Sequence, residues 1–402
     1  MTAVAPVNPF LYLQRNADAD PRGIFLRTPD TSLTNAEAVV EVKKLAYELR
    51  RLGVAAGDLV ALDLPDRLSI LFTEAVYHEA AISTVVPREY VANGRLPVRW
   101  IFASGTPSVL PGATVVTVDA RFLQRVNENP YGISPSEAPI EILRIVFSSG
   151  TTGTPKAIAL GRDMEQLMDA ALATWFQAGP NLTTMDTGTA PGMGEFSLSV
   201  KARQPFLSVG GATPEATARL IAAQSVRTLK GSLAQVVAVV EHVEAQQQTL
   251  PSIDVVQVIG TTVPPTVAER LRSVTGGCRI IGTYGSTEAG SATFRAYDTD
   301  DPFDVGPVAP GATIEIVDDD DQPLPPGEVG RIRHRSPGMV RGYYDDPEAT
   351  ALGFKDGWFY PGDLGYLRED GGLSLAGRES EILNAGGVKV DQNRIDHLAL
   401  EH

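Results

Sequence analysis

The stretch of sequence that decides the fold begins with the apolar run Ile142-Leu143-Arg144-Ile145-Val146-Phe147. It continues into a loop and a second apolar run, Ser148-Ser149-Gly150-Thr151-Thr152-Gly153-Thr154-Pro155-Lys156 and then Ala157-Ile158-Ala159-Leu160. The first run is short and rich in β-branched residues, which is typical of a buried strand. The pattern therefore predicts a strand, a tight turn and another ordered segment.

The composition of this loop suits an anion. Gly150 and Gly153 let the backbone turn tightly and bring N–H groups close to a ligand. Hydrogen bonds to phosphate oxygens can come from the ammonium group of Lys156 and from the hydroxyls of Ser148, Ser149, Thr151 and Thr152. The spacing is not that of P-loop NTPases, because Gly153 and Pro155 interrupt it. A polar surface turn is the alternative, but the order of these residues favours phosphate binding.

The overall composition excludes several classes of protein. The 402 residues are enough for two or three compact units, and the 43% hydrophobic share is ordinary for a globular chain. The net charge of −15 argues against binding to nucleic acid or to an anionic membrane. The single cysteine, Cys278, excludes an intrachain disulfide, and we expect it to be a buried strand thiol. No signal peptide or membrane span is evident, so we expect a cytoplasmic protein.

The order of elements along the chain predicts an α/β fold. Thr34 and Glu37 have the spacing of a capping box before an amphipathic helix that Gly53 ends. Helices and strands then alternate to about residue 300, which favours two α/β subdomains with mainly parallel sheets covered by helices. From there short strands predict a small β-barrel-like subdomain. Its acidic run 318–321 is expected to be a solvated hairpin turn rather than a metal site.

A second candidate loop is Gly282-Thr283-Tyr284-Gly285-Ser286-Thr287-Glu288. It follows a predicted strand at 279–281, and α/β proteins place ligands at the carboxyl ends of strands. Tyr284 can stack on a base, Thr287 can donate to a phosphate, and Glu288 can hold Mg²⁺ together with phosphate oxygens. Taken alone, this loop could equally be an ordinary turn.

Two further motifs follow, Tyr360-Pro361-Gly362-Asp363-Leu364 and Gly377-Arg378-Glu379-Ser380-Glu381-Ile382-Leu383. The carboxylate of Asp363, on a tight turn, suits a bidentate bond to ribose hydroxyls. Its alternative is a turn aspartate that bonds its own backbone. For the last motif the alternative is a hairpin with an exposed arginine.

In this order the four motifs resemble the adenylate-forming superfamily, which includes acyl- and aryl-coenzyme A synthetases, adenylation domains of nonribosomal peptide synthetases, and luciferases. The resemblance runs from about Leu33 to the last residues. It implies a large N-terminal domain over residues 1–379, with α/β subdomains to about 300 and the β subdomain over 301–379. Residues 380–402 would be a hinge at Ser380 and the start of a C-terminal domain.

The resemblance also implies roles for residues. The first loop would wrap the β- and γ-phosphates of ATP, Thr287 would contact the α-phosphate, and Glu288 would hold Mg²⁺; these two are the catalytic candidates. Asp363 and Arg378 would hold the ribose. The rest of the ATP site would be Gly260, Thr261, Thr262, Tyr284, Gly285 and Ser286, with Tyr284 stacked on adenine. The substrate pocket would be formed by Gly194, Phe196, Ser197, Gly282 and Thr283.

The implied reaction joins a small carboxylic acid to AMP and releases pyrophosphate, after which coenzyme A, the phosphopantetheine of a carrier protein, or an amine accepts the acyl group. The family's catalytic lysine lies in its C-terminal domain, and no candidate for it is evident in the roughly twenty residues after Ser380. A truncated chain and a natural short form are both open. The latter would bind adenylates without efficient turnover or need a C-terminal domain in trans.

The clue to the acid is Phe196-Ser197-Leu198-Ser199-Val200. It resembles the Phe-Asp-x-Ser segment of amino-acid-activating domains, with Ser197 at the aspartate that pairs with an α-ammonium group. Serine carries no charge, so an ordinary α-amino acid is disfavoured. An aryl, aliphatic or hydroxy acid, or an amino acid with its amine elsewhere, stays open. Gly192 and Gly194 are expected to leave room in the pocket. Glu195 could meet a cationic group of the substrate, but we expect it to face solvent.

Overall fold

The structure is a computed structural model, and it describes residues 8–87, 96–106, 110–148, 155–161, 168–169, 171–172, 179–297, 303–385 and 388–391. The helices within these residues are α1 (Phe10–Ala19), α2 (Asn35–Leu52), α3 (Asp66–His78), α4 (Ala120–Glu128), α5 (Ala190–Lys201), α6 (Pro214–Gln224), α7 (Leu233–Ala245), α8 (Pro265–Thr275) and α9 (Pro347–Gly353).

The strands of the first half are β1 (Ile24–Arg27), β2 (Ser32–Thr34), β3 (Leu59–Asp63), β4 (Ile82–Thr84), β5 (Val98–Ala103), β6 (Thr114–Thr117), β7 (Ile142–Ser148), β8 (Lys156–Gly161), β9 (Asn181–Thr183) and β10 (Phe206–Ser208). Those of the second half are β11 (Thr228–Gly231), β12 (Val255–Ile259), β13 (Arg279–Ser286), β14 (Gly290–Ala296), β15 (Asp304–Pro307), β16 (Thr313–Val317), β17 (Gly330–Arg335), β18 (Phe354–Lys355), β19 (Trp358–Phe359), β20 (Asp363–Leu367), β21 (Gly372–Arg378), β22 (Ile382–Ala385) and β23 (Val388–Asp391).

The first sheet has the strand order β6-β5-β3-β4-β7-β8. It is parallel except for its last pair, β7 and β8, which are antiparallel and place Ser148 opposite Lys156. The predicted strand and the ordered segment after it are therefore two arms of one hairpin at the sheet edge. The tip of its loop, 149–154, lies outside the described residues.

The second sheet has the order β14-β13-β12-β11-β9-β10-β1-β2. Its centre is parallel from β13 to β1, and an antiparallel pair closes each edge. Strand β13 runs to Ser286, further than the predicted end at residue 281, because β14 pairs with it back to Gly290. The segment expected to be a loop after Ile281 is thus mostly strand, and its turn lies at 287–289.

The third sheet is antiparallel and holds β15 to β21, with the path β15-β21-β20-β17-β19-β18 and β16 paired to β17. The predicted small β unit is present, and the described strands form an open path rather than a closed ring. The acidic run is a hairpin turn as predicted, because Asp318 Oδ1 accepts hydrogen bonds from the backbone N–H groups of Asp320 and Gln322. Cys278 is buried, as expected, one residue before β13.

Helix α2 illustrates how the sequence forms these elements. The Thr34 hydroxyl accepts from the Glu37 N–H, and the Glu37 carboxylate accepts from the Thr34 N–H, which completes the predicted capping box. Gly53 ends the helix in the left-handed region, at φ 97°. One apolar stripe, which includes Ala38, Val42, Leu45 and Leu49, is buried in the main core. Burial of each larger aliphatic side chain contributes roughly 1.5–3 kcal/mol.

Both α/β sheets are therefore covered by helices, which confirms the predicted fold class. Within the described residues, no helix has the length and apolar character needed to cross a membrane. The division of the chain at residues 300 and 379 stays a prediction.

Candidate active site

A cavity of about 870 Å³ lies where the first, second and third sheets meet. The first sheet contributes Ser148 and Lys156, and the second contributes the carboxyl ends of β11, β12 and β13. The third sheet contributes Asp363 and Arg378. The cavity thus gathers residues from all four sequence motifs at the carboxyl edge of a parallel sheet, where α/β folds bind ligands.

Asp363 is the best-organised polar group of the cavity. It begins β20 and stands opposite Arg378 of β21 in the strand register. Its Oδ1 lies 3.0 Å from Arg378 Nε, and its Oδ2 accepts a 2.6 Å hydrogen bond from the Tyr284 hydroxyl. Burial, followed by the charge of Asp363, raises the pKa of Tyr284 well above its usual range, so this hydroxyl stays a donor. Each carboxylate oxygen can accept a further bond, which suits vicinal hydroxyls of a ligand.

Tyr284 itself is placed differently from what the sequence suggests. Its side chain packs against an apolar cluster formed by β14 and strands of the third sheet, and it is not among the residues that line the cavity. Its observed contact is the bond to Asp363. Stacking of Tyr284 on adenine stays a prediction.

Glu288 forms the second polar centre. It is buried on the cavity wall, and its Oε1 accepts a 2.9 Å hydrogen bond from the Tyr343 hydroxyl. The ammonium group of Lys156 lies 4.7 Å from the centre of the Tyr343 ring, within the range of a cation–π contact. Burial, followed by the Glu288 carboxylate, raises the pKa of Tyr343, so Tyr343 remains the donor in this pair.

These residues fit Mg²⁺ as it binds to nucleotides. Mg²⁺ commonly takes one or two protein carboxylates and completes its shell with phosphate oxygens and water. Glu288 Oε2 makes no hydrogen bond within the described part of the chain, so it is available as a ligand. The same part of the chain holds no group of three or more His, Cys, Asp or Glu side chains that could form an all-protein metal site.

The described flanks of the phosphate-loop candidate also face the cavity. Ser148 and Lys156 stand opposite each other at the mouth of the β7–β8 hairpin, and both line the cavity. Among the described residues, the buried Ser148 hydroxyl has no hydrogen-bond partner. A buried hydroxyl without a hydrogen bond lowers the stability of the fold, and a polar ligand would supply the missing bond. Ser149, Gly150, Thr151, Thr152 and Gly153 lie outside the described residues.

The other residues predicted to bind the nucleotide fall into two groups, those that line the cavity and those that do not. Gly260, Gly285, Ser286 and Thr287 line the cavity, whereas Thr261 and Thr262 do not. Thr283 lines it too, but Gly282 lies beneath the Tyr297 ring, where a Cβ atom would come within 2.7 Å of a ring carbon. Ser380, the predicted hinge, lies exposed in the 3₁₀ turn Glu379–Glu381.

The predicted substrate segment lies on helix α5, and the helix changes which residues face the cavity. Gly194 lines the cavity as predicted, but Phe196 and Ser197 do not; they line a pocket of about 40 Å³ on the opposite side of the helix. Successive residues of a helix are rotated by about 100° around its axis, so residues three or four positions apart share the face that lines the cavity. That face presents Ala190, Pro191, Gly194, Glu195 and Leu198. Phe196 and Ser197 therefore do not line the main cavity, and a substrate contact for either residue stays a prediction.

Two neighbours of Gly194 also differ from expectation. Gly192 does not open the pocket, because a Cβ there would lie 2.1 Å from the Asp186 carbonyl oxygen; this glycine allows close backbone packing. Glu195 does not face solvent. It is buried at the cavity wall and forms a 2.6 Å ion pair with Lys230 of β11.

Comparison with known proteins agrees with this geometry. The family described as AMP-binding enzyme matches residues 103–344. This chain belongs to the AMP-binding enzyme family. The recognition made from the motifs is thereby confirmed.

Curated relatives of this AMP-binding enzyme carry the names of acid–thiol ligases. The chain is 30% identical over 278 residues to a medium-chain fatty-acid–CoA ligase of Escherichia coli (strain K12), a match that covers 65% of this chain and 47% of the relative. It is 26% identical to a 2-hydroxy-7-methoxy-5-methyl-1-naphthoate–CoA ligase of Streptomyces carzinostaticus, over 97% of this chain and 78% of the relative. The chain thus spans about half the length of the first relative.

The fold is likewise shared with solved structures. The ATP-bound crystal structure of MatB from Rhodopseudomonas palustris superposes with a TM-score of 0.84 at 21% identity, covering 98% of this chain and 82% of that one. At this identity the likeness shows the fold alone.

Sequence reasoning missed three residues of this AMP-binding enzyme that the cavity brings together. Tyr343 lies 55 positions after Glu288, and no local sequence pattern predicts their contact. Gln257 lies in a strand of mostly buried residues. Lys230 did carry a signal, because a lysine within a short buried strand needs a partner.

Proposed function

We propose that the chain binds ATP and activates a carboxylic acid as its acyl-adenylate, with release of pyrophosphate. The observation that carries the proposal is the shared cavity. Asp363, braced by Tyr284 and Arg378, lies in the same cavity as Glu288, Lys156 and the part of the wall that helix α5 contributes, which we assign to the acid. The family and the names of its matched members, which activate a fatty acid and a hydroxynaphthoate, support the same reaction.

In this proposal the substrate carboxylate attacks the α-phosphorus of ATP. A bond forms between a carboxylate oxygen and phosphorus, the bond from phosphorus to the β-phosphate oxygen breaks, and pyrophosphate leaves with the electron pair. Binding both reactants in one cavity supplies the in-line geometry that such transfers need.

The chain's own residues bind and orient the reactants. Asp363 accepts hydrogen bonds from the ribose hydroxyls while Tyr284 and Arg378 fix its carboxylate. Ser148 and Lys156 donate to the phosphates, and Thr287 contacts the α-phosphate. Tyr343 holds one oxygen of Glu288, so the other is directed to the metal. When bound, Mg²⁺ neutralises charge on the phosphates. The acceptor of the acyl group is coenzyme A or the phosphopantetheine of a carrier protein.

Acid-dependent exchange of labelled pyrophosphate into ATP tests the reaction. The acids would cover unsubstituted aryl and aliphatic acids, their hydroxylated forms, and α-amino acids. We expect exchange with at least one acid that is not an α-amino acid. ATP binding without exchange for any acid would contradict activation and leave a nucleotide-binding protein.

A substitution in the phosphate region links the exchange to this cavity. Lys156→Ala should lower the exchange rate at least tenfold, because it removes a cation from the phosphates. Lys43→Ala is the matched control, since Lys43 lies on α2 and does not line the cavity. Equal rates in both variants would refute the role of Lys156.

A further inference from the structure

The ion pair between Glu195 and Lys230 lies on the wall of the ligand cavity. Glu195 comes from helix α5 and Lys230 from strand β11, and their side chains are only 5% and 8% exposed. Lys230 Nζ donates to Glu195 Oε2 at 2.6 Å, while the buried Glu195 Oε1 has no hydrogen-bond partner in the part of the chain that the structure describes. A buried carboxylate oxygen without a donor is costly, so this end of the cavity is incomplete without one.

The pair belongs to a polar row across the second sheet. Thr183, Lys230 and Gln257 are laterally paired on β9, β11 and β12, and all three line the cavity. The surrounding wall is apolar at Met168, Leu198 and Ile259. A few fixed polar groups in an otherwise apolar pocket determine how a ligand is oriented and selected.

The row lies at a different level of the sheet from Thr287 and Glu288, the residues proposed to contact the α-phosphate and Mg²⁺. Gln257 pairs with Ile281 of β13, and that strand continues to Ser286 before reaching Thr287 and Glu288. At about 3.3 Å per residue, the backbone at Ser286 lies roughly 16 Å further along the sheet. The polar row therefore faces the body of a bound acid rather than its reacting carboxylate.

Stability alone does not explain this pair. A buried ion pair often contributes nothing, because desolvation offsets the attraction between the charges, and an apolar pair of similar volume is commonly as stable. A pair placed on a cavity wall can instead interact with a ligand.

We infer that Glu195 and Lys230 recognise a hydroxyl group on the body of the acid, so that the substrate is a hydroxy acid. A hydroxyl can donate to Glu195 Oε1 while its oxygen lies in the field of the Lys230 ammonium. The charges of the pair cancel, so the pair offers no net attraction that would offset the desolvation of an ammonium group or a second carboxylate on the ligand. The inference rests on the proposed function, which assigns this pocket to the acid.

Binding of stable adenylate mimics tests the inference without requiring turnover. The probes are 5′-O-(N-acyl)sulfamoyladenosines of benzoic acid and hexanoic acid, and of their monohydroxylated isomers. We expect at least one hydroxylated probe to bind ten times more tightly than its parent by titration calorimetry. If every parent binds as tightly as its isomers, the inference is wrong and the proposed function stands. If no probe binds, the proposed function itself fails.

A double variant assigns the preference to the pair. Glu195→Leu with Lys230→Met removes both charges together, so neither remains buried and unpaired. It should bring the hydroxylated probe and its parent to within threefold of each other while AMP binds as before. An unchanged preference would overturn the assignment. If the variant does not fold, the relative affinities of the unaltered protein for the hydroxylated probes and their parents test the inference.

Discussion

Asp363 shows at the residue scale how one carboxylate is prepared for a ligand. Its two oxygens are held by different elements, Tyr284 on β13 and Arg378 on β21. Because both partners donate to the carboxylate, its orientation is fixed. The group that recognises hydroxyls is therefore in place before a ligand arrives.

Replacing Asp363 by alanine should weaken binding of AMP at least tenfold, because hydrogen bonds to a charged group are worth about 1.5–3 kcal/mol. Asp319→Ala is the matched control, since Asp319 is exposed in a hairpin turn of the same sheet. Titration calorimetry with AMP measures both. Equal affinity in the two variants would remove Asp363 from the nucleotide site.

The hydrogen bond from Tyr343 to Glu288 leads to a prediction about metal binding, also at the residue scale. Tyr343→Phe removes the hydrogen bond to Glu288 and keeps the ring beneath Lys156. We expect Mn²⁺, used as a spectroscopic substitute for Mg²⁺, to bind the ATP complex several-fold more weakly by electron paramagnetic resonance. The adjacent Tyr344→Phe is the control. If the two variants retain Mn²⁺ equally, Tyr343 does not position Glu288.

At the scale of elements, helix α2 depends on its C-terminal glycine. Gly53 has φ 97°, a conformation that costs an L-residue roughly 1–2 kcal/mol. Gly53→Ala should lower the free energy of unfolding in urea by about that amount, although there is room for the methyl group. Gly105→Ala, at a position with open space and no positive φ, should be nearly neutral. Equal effects would show that backbone strain is not the cause.

The elements also show what the sequence could predict. The β7–β8 hairpin and the capped helix α2 follow from local signals, namely apolar runs, glycines and a capping box. The residues of helix α5 that face the cavity are harder to predict. A motif compared residue by residue ignores the rotation of about 100° per helical residue, which turns Phe196 and Ser197 away from the main cavity. Contacts such as Glu195 with Lys230 join residues 35 apart and arise only when the sheet and helix meet.

At the scale of the whole molecule, a buried acid predicts how stability depends on pH. Glu74 is fully buried in helix α3, and its Oε2 has no hydrogen-bond partner within the ranges that the structure describes. Burial raises its pKa from 4.5 to about 8. Between these two pKa values the folded protein keeps the Glu74 proton, whereas the unfolded chain has released it. The contribution of Glu74 to the free energy of unfolding is therefore fully present below pH 4.5 and is lost as the pH rises towards 8.

Glu74→Gln should remove this dependence. A pKa difference of this size is worth about 3 kcal/mol at pH 7, so the fall in unfolding free energy between pH 5 and pH 8 should be smaller by roughly that amount in the variant. Urea unfolding at several pH values measures it, with the exposed Glu328→Gln as control. Parallel pH profiles for the variant and the unaltered protein would contradict a neutral Glu74.

The central claim is that one cavity holds the nucleotide and the acid together. A crystal structure of the chain with an acyl-sulfamoyladenosine tests it most directly. The account predicts the ribose hydroxyls within hydrogen-bond distance of Asp363 and the acyl group beneath helix α5, against Glu195 and Lys230. An adenosine bound away from Asp363, or an acyl group directed out of the cavity, would contradict it.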